Sequence, residues 1–149
     1  MVALACLGIV AAQDTASVVK VTPTTLRLRE RRVATLALQL QVREGYHINS
    51  NRPKLDYLIA TQFTLDPQPG FTLVGLKWPT ATDKKFAFSG DPLSVFQGTV
   101  PLGVELKAGP HTVGSHVLHG KLRYQACSEE LCRPPVTMPV DLHVEVVHG

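Results

Sequence analysis

The sequence predicts an all-β domain, two antiparallel sheets packed as a sandwich, and three observations carry that expectation. Apolar and polar residues alternate with a period of two through most of the chain, the spacing of a strand with one buried face. Eleven prolines and eleven glycines are spread along its 149 residues, dense enough to interrupt any long helix. Beyond the first dozen residues no stretch follows the 3.6-residue period of an amphipathic helix.

The elements follow in order. Residues 1–12, MVALACLGIVAA, are apolar and end in small side chains, after which Gln13, Asp14 and Thr15 turn the composition polar. This has the length of a signal-peptide core rather than the ~20 residues of a membrane span. Export with cleavage near Ala12 is expected, although no Lys or Arg precedes the apolar run. Cys6 would leave with the signal, so residues 13–149 would form one exported domain with two cysteines. Strands are expected at residues 18–21, 36–42, 58–65, 71–78, 93–100, 117–126 and 138–146, separated by Gly, Pro, Asn or Asp. In the second, Leu36, Leu38, Leu40 and Val42 share a face. In the last, Met138, Val140, Leu142, Val144 and Val146 oppose Pro139, Asp141, His143 and Glu145. Seven or more such strands suit an immunoglobulin-like sandwich. The inter-sheet disulfide common in such folds is missing, because Cys127 and Cys132 lie too close in sequence to join two sheets.

Charge narrows the function. A net charge of +3 and one short basic run, Arg27, Arg29, Arg31 and Arg32, fall short of a nucleic-acid footprint, and the run reads as a solvated strand end or turn. No Gly-x-Ser-x-Gly motif supports hydrolysis. Copper or zinc would need more than two thiols, and His116 and His119, three apart on a strand, face opposite sides. No metal or other cofactor is expected, and a copper- or zinc-binding domain is kept as the least favoured alternative.

The chemistry concentrates in Cys127 and Cys132, four residues apart between a strand and Pro134-Pro135. A four-residue hairpin loop can bring them within bonding distance. Continuing the alternation from Val117 places Cys127 on the polar face with His119, Lys121, Arg123 and Gln125, and therefore within reach of a partner. Two readings stand. One is a structural clamp on a hairpin in an extracytoplasmic binding module. The other is a redox pair, favoured because so short a loop gains only about 2 kcal/mol from its bond. Glu129 and Glu130 disfavour a thiolate, whereas Arg133 beside Cys132 favours one.

Several segments together resemble the N-terminal periplasmic domain of the thiol-disulfide interchange protein DsbD. They are Gly45-Tyr46-His47-Ile48-Asn49-Ser50-Asn51-Arg52-Pro53, Trp78-Pro79, Phe86-Ala87-Phe88-Ser89-Gly90, Pro92-Leu93-Ser94-Val95-Phe96, and above all Tyr124-Gln125-Ala126-Cys127 with Cys132-Arg133-Pro134-Pro135. The resemblance implies an immunoglobulin-like fold and a monomeric periplasmic thiol-disulfide oxidoreductase. Such a domain takes electrons from the thioredoxin-like domain of a membrane electron-transfer protein. It passes them to periplasmic thioredoxin-fold recipients serving disulfide isomerisation and cytochrome c maturation.

The resemblance further implies that Cys127 and Cys132 are the redox pair, with Cys132 forming the mixed disulfide. It gives Phe88, or alternatively Phe86, the role of an aromatic cap over the pair. His47, Asn49, Tyr124 and Arg133 are expected to line the site. His47 and Asn49 stand where the family carries aromatic hydroxyls, and His47 is expected either to assist proton transfer or, as favoured, to be a hydrogen-bonded turn residue. The cysteine loop is one residue shorter than the family's, and these 149 residues hold no membrane domain or C-terminal thioredoxin domain, so the reductase is expected on a separate chain or elsewhere in a longer protein.

Overall fold

A computed structural model describes residues 17–22 and 25–149. The expected signal segment lies outside these residues. The described chain is all β: β1 (Val19–Thr22), β2 (Thr25–Arg29), β3 (Val33–Val42), β4 (His47–Asn49), β5 (Gln62–Leu65), β6 (Phe71–Lys77), β7 (Thr82–Lys84), β8 (Leu93–Phe96), β9 (Thr99–Ala108), β10 (Gly114–Tyr124), β11 (Ala126–Cys127) and β12 (Val136–Val147). They form three four-stranded sheets, ordered β1-β3-β9-β6, β2-β12-β10-β5 and β11-β4-β8-β7.

The first two sheets make the sandwich. Leu36, Leu38 and Leu40 of β3 and Leu102, Val104 and Leu106 of β9 meet Leu118 and Leu122 of β10 and Leu142, Val144 and Val146 of β12 in one buried cluster. The alternation read from the sequence supplies these contacts directly, because every second side chain of a strand points to the same face. All pairings are antiparallel except β2, which runs parallel to β12 from Thr25 opposite His143 to Arg29 opposite Val147. Arg27 and Arg29 point to solvent there, and Arg31 follows in a left-handed turn at φ 64°.

Two expected strands change shape. The run at 58–65 pairs only from Gln62, because Asn51 to Thr61 form a loop pinned by hydrogen bonds from the Thr61 amide to the Ser50 carbonyl (3.2 Å) and from the Thr61 hydroxyl to the Asn49 carbonyl (2.5 Å). The run at 93–100 is two strands, β8 and β9, bent at Gly98, whose φ of 64° suits a residue without a Cβ. The sequence reading missed β2, β4 and β7, which are only three to five residues long.

The third sheet grows from the end of the sandwich. There β3 continues into β4 through a turn at Gly45 (φ 84°), β8 runs on into β9, and β10 passes into β11 across Gln125 alone. Three long core strands thus feed the small sheet that carries the cysteines.

Candidate functional site

Strands β10 and β12 pair from Gly114 opposite Val146 to Tyr124 opposite Val136, and residues 125–135 leave this ladder as a separate excursion. Gln125 is the pivot. Its side-chain carbonyl accepts from Asn49 Nδ2 and from the Ile59 amide, both at 3.3 Å, while Asn49 Nδ2 also donates to the Ile59 carbonyl at 2.9 Å. Ala126 and Cys127 then pair with Ile48 and His47 of β4.

This change of sheet overturns one expectation. Cys127 was expected on the polar, reachable face, but its exposure is 0%. The alternation of β10 ends at Gln125, and the new pairing buries Ala126 and Cys127 alike. Cys132 is partly exposed instead.

The two cysteines oppose each other across an antiparallel bridge, their Cα atoms 3.9 Å apart, and are joined as a disulfide. Ser128 shapes the four-residue loop between them. Its amide donates to the Leu131 carbonyl at 2.9 Å, and its hydroxyl accepts from the amides of Glu130 (3.3 Å) and Leu131 (3.2 Å). The Arg133 amide closes the hairpin on the Ala126 carbonyl at 2.8 Å. Leu131, beside Cys132, is 60% exposed at the tip.

Arg133 does not stand free beside the sulfur. Its guanidinium donates to the Tyr46 hydroxyl at 2.5 Å and lies 4.7 Å from the centre of the Tyr46 ring. Tyr46 belongs to the turn before β4, so residues 46 and 47 grip the hairpin on both sides. Its place in the Gly-Tyr-His segment was the available signal.

His47 is a buried strand residue, not the hydrogen-bonded turn residue favoured from sequence. Its Nε2 is buried with no hydrogen-bond partner among the described residues. Burial, and secondarily the Lys84 ammonium, lowers its pKa from 6.5 to about 4, so the ring is neutral at neutral pH. The imidazole stacks on Phe86, centroids 4.0 Å apart at 18°, and Phe86 stacks on Phe88 at 5.5 Å and 13°.

Phe86 is 5% exposed and packs with Leu93 and Val95, whereas Phe88 is 42% exposed at the corner of a turn closed by the Ser89 amide on the Phe86 carbonyl (3.1 Å). Strand β7 ends at Lys84, and the loop toward Gly90 begins at Lys85. Lys84 reaches the cysteine loop through Glu129, 3.9 Å away, and both border a cleft of about 440 Å³ shared with Tyr46, His47 and Phe86.

The remaining expected residues separate. Asn49 sits under the Gln125 pivot with its Oδ1 buried and unpaired. Tyr124 points into the core with its hydroxyl 3.4 Å from Ser17 Oγ, because it still follows the β10 alternation. His116 and His119 face apart, the first donating from Nε2 to the Thr112 carbonyl (2.7 Å), the second paired with Asp141 (2.8 Å). Among the described residues no three His, Cys, Asp or Glu side chains gather as a metal site.

The sequence profile described as "Thiol:disulfide interchange protein DsbD, N-terminal" matches residues 15–143, the cysteine hairpin included. The chain belongs to the DsbD N-terminal family. As a DsbD N-terminal domain it carries the cysteine pair of a thiol-disulfide interchange domain, joined here as a disulfide. The N-terminal periplasmic domain of ScsB from Proteus mirabilis shares its fold at a TM-score of 0.54 and 15% identity, over 85% of this chain and 44% of that one. This chain therefore spans less than half of the ScsB domain's length. The DsbD N-terminal domain of Neisseria meningitidis in its reduced form aligns at 19% identity over 71% of this chain and 74% of that one, with a TM-score of 0.49. No curated protein matches the chain in sequence.

Proposed function

We propose that this DsbD N-terminal domain is a periplasmic relay in which Cys132 exchanges disulfides with thioredoxin-fold proteins and Cys127 resolves each exchange. The observation that carries the reading is the unequal burial of one disulfide. Cys127 is sealed in the β4–β11 pairing, while Cys132 is partly exposed beside the projecting Leu131. An attacking thiolate needs a line of approach to its sulfur, and only Cys132 offers one. Electrons would enter from the thioredoxin-like domain of a membrane electron-transfer protein and leave to periplasmic thioredoxin-fold recipients, those of disulfide isomerisation and cytochrome c maturation among them.

Phe88 serves in this reading as the outer shield of the pair, and Phe86 as the buried platform under it. The stack that runs from Phe88 through Phe86 to His47 supports this, because His47 is the cross-strand neighbour of Cys127.

The test mixes reduced Cys127→Ser and Cys132→Ser variants with a thioredoxin-fold protein that lacks its resolving cysteine and carries thionitrobenzoate on the remaining one, which leaves as the mixed disulfide forms. A covalent complex through Cys132 is expected with Cys127→Ser and little with Cys132→Ser. Efficient trapping through Cys127 would reverse the roles. Trapping by neither would favour a structural clamp.

A further inference from the structure

We infer that His47 is the proton acceptor for Cys127 in the resolving step, its Nε2 hydrogen-bonded to the Cys127 thiol when the pair is reduced. The inference rests on the relay reading of the same site and adds a residue to it.

Three observations converge on that nitrogen. His47 and Cys127 are directly paired across antiparallel β4 and β11. Side chains so paired stand on one face with Cβ atoms about 4.5–5.5 Å apart. His47 is 1% exposed, and its Nε2 has no partner among the described residues, an arrangement that costs stability and calls for a reason. The oxidised pair has no hydrogen to offer, since both sulfurs are spent on their bond. Reduction creates a thiol donor on the residue paired with His47.

The resolving step then balances. Cys132 begins joined to the partner's sulfur. The Cys127 thiol passes its proton to His47 Nε2, and its electron pair forms the bond to Cys132 Sγ. The bond from Cys132 to the partner breaks, and its electron pair leaves on the partner's sulfur, which takes up a proton. Two electrons have moved, oxidising the Cys127–Cys132 dithiol and reducing the partner's disulfide.

The surroundings favour a brief stay of the proton on the ring. Lys84, above the Phe86 ring at 5.4 Å, opposes a second positive charge nearby, while Arg43, Glu44 and Glu129 border the same cleft. An imidazole that holds a proton poorly returns it readily. The Phe86 stack fixes the ring plane and leaves the edge nitrogens as the groups that change partners.

The experiment follows the reduced protein reacting with DTNB, an aromatic disulfide, so it does not depend on any protein partner. Cys132 releases one thionitrobenzoate on attack, and Cys127 releases the second on resolution. His47→Phe keeps the ring and the stack but removes the nitrogen. It should slow the second release on the order of a hundredfold, the range of a lost general base. His47→Gln, whose amide oxygen can accept a hydrogen bond but not a proton, should leave the second release slow, and a wild-type rate in it would overturn the inference. Equal second-phase rates in the wild type and His47→Phe would overturn the inference.

A measurement on the wild type covers the case in which His47→Phe fails to fold. The His47 Nε2 nuclear magnetic resonance signal should move on reduction while that of exposed His119 stays, and an unmoved His47 signal would overturn the inference as well. Neither result depends on thioredoxin-fold trapping, which tests the relay reading separately.

Discussion

The β10–β12 ladder holds eleven consecutive pairs, whereas the hairpin beyond its end is held by two pairs with β4, one isolated bridge, the Arg133 closure, the Arg133–Tyr46 bond and the disulfide. Inward residues of the ladder, Leu118, Leu122, Leu142 and Val144 among them, are almost wholly buried against the opposite sheet. In the hairpin only Ala126 and Cys127 are buried to that degree, and the loop after them is largely exposed. Stability therefore resides in the ladder and reactivity in the excursion, so the disulfide can open while the domain stays folded.

The largest effect that would separate the two regions is a cavity in the ladder. Leu142→Ala, opposite Leu118 at the sandwich centre, should lower unfolding free energy by about 2–5 kcal/mol in urea titrations and leave the reaction of the cysteines little changed. A loss under about 1 kcal/mol would mean that the core is not the main support.

Next in size is the pH response of His47. Its folded pKa lies near 4, below the unfolded value of 6.5, so no protonation-linked penalty falls on folding above pH 6.5. As pH falls from 6.5 to 4, the unfolded state takes up a proton that the folded state refuses, and stability drops. Below 4 the loss levels off. Its full extent is about 3 kcal/mol. His47→Phe should flatten that slope relative to the wild type, and equal slopes would place the titration elsewhere.

Removing the disulfide should cost less. Cys127→Ala combined with Cys132→Ala closes no loop, and a loop this short is worth about 2 kcal/mol. A loss approaching that of Leu142→Ala would contradict the division between the regions.

Smallest in stability is Phe88→Ala, at about 1 kcal/mol for a half-exposed stacked ring. Its kinetic effect should be larger, a severalfold faster reduction by dithiothreitol. If neither Phe88→Ala nor Phe86→Ala changes that rate, the shield is abandoned.

The same contrast explains what the sequence made legible. Leu36 to Val42 and Met138 to Val146 could be read because a strand buried on one face must alternate, and the structure buries the faces that alternation named. The opposed His116 and His119 followed from the same rule, while the basic run was read from the usual solvation of short charge runs. The rule failed at Gln125, where the chain changes sheets and alternation carries no information across the pivot, so Cys127 was read as reachable when it is buried. It failed at His47 too, since a three-residue strand buried at every position has no period. Short β2 and β7 were hidden for want of length. The partners of the hairpin, Tyr46 against Arg133 and Lys84 against Glu129, are contacts between distant segments, which local pattern cannot supply.

Tyr46 and His47 hold the hairpin from one side through Arg133 and from the other through Cys127, and neither hold depends on the sulfur–sulfur bond. The two cysteines thus remain opposed after reduction, and the attack of one on the other is an encounter already arranged. Groups held in this way react as if at molar or higher effective concentration. In the proposed relay, a partner captured on Cys132 would therefore have a short dwell time as a covalent complex, and choice among partners would be made at the encounter, by what fits around Leu131 and Cys132.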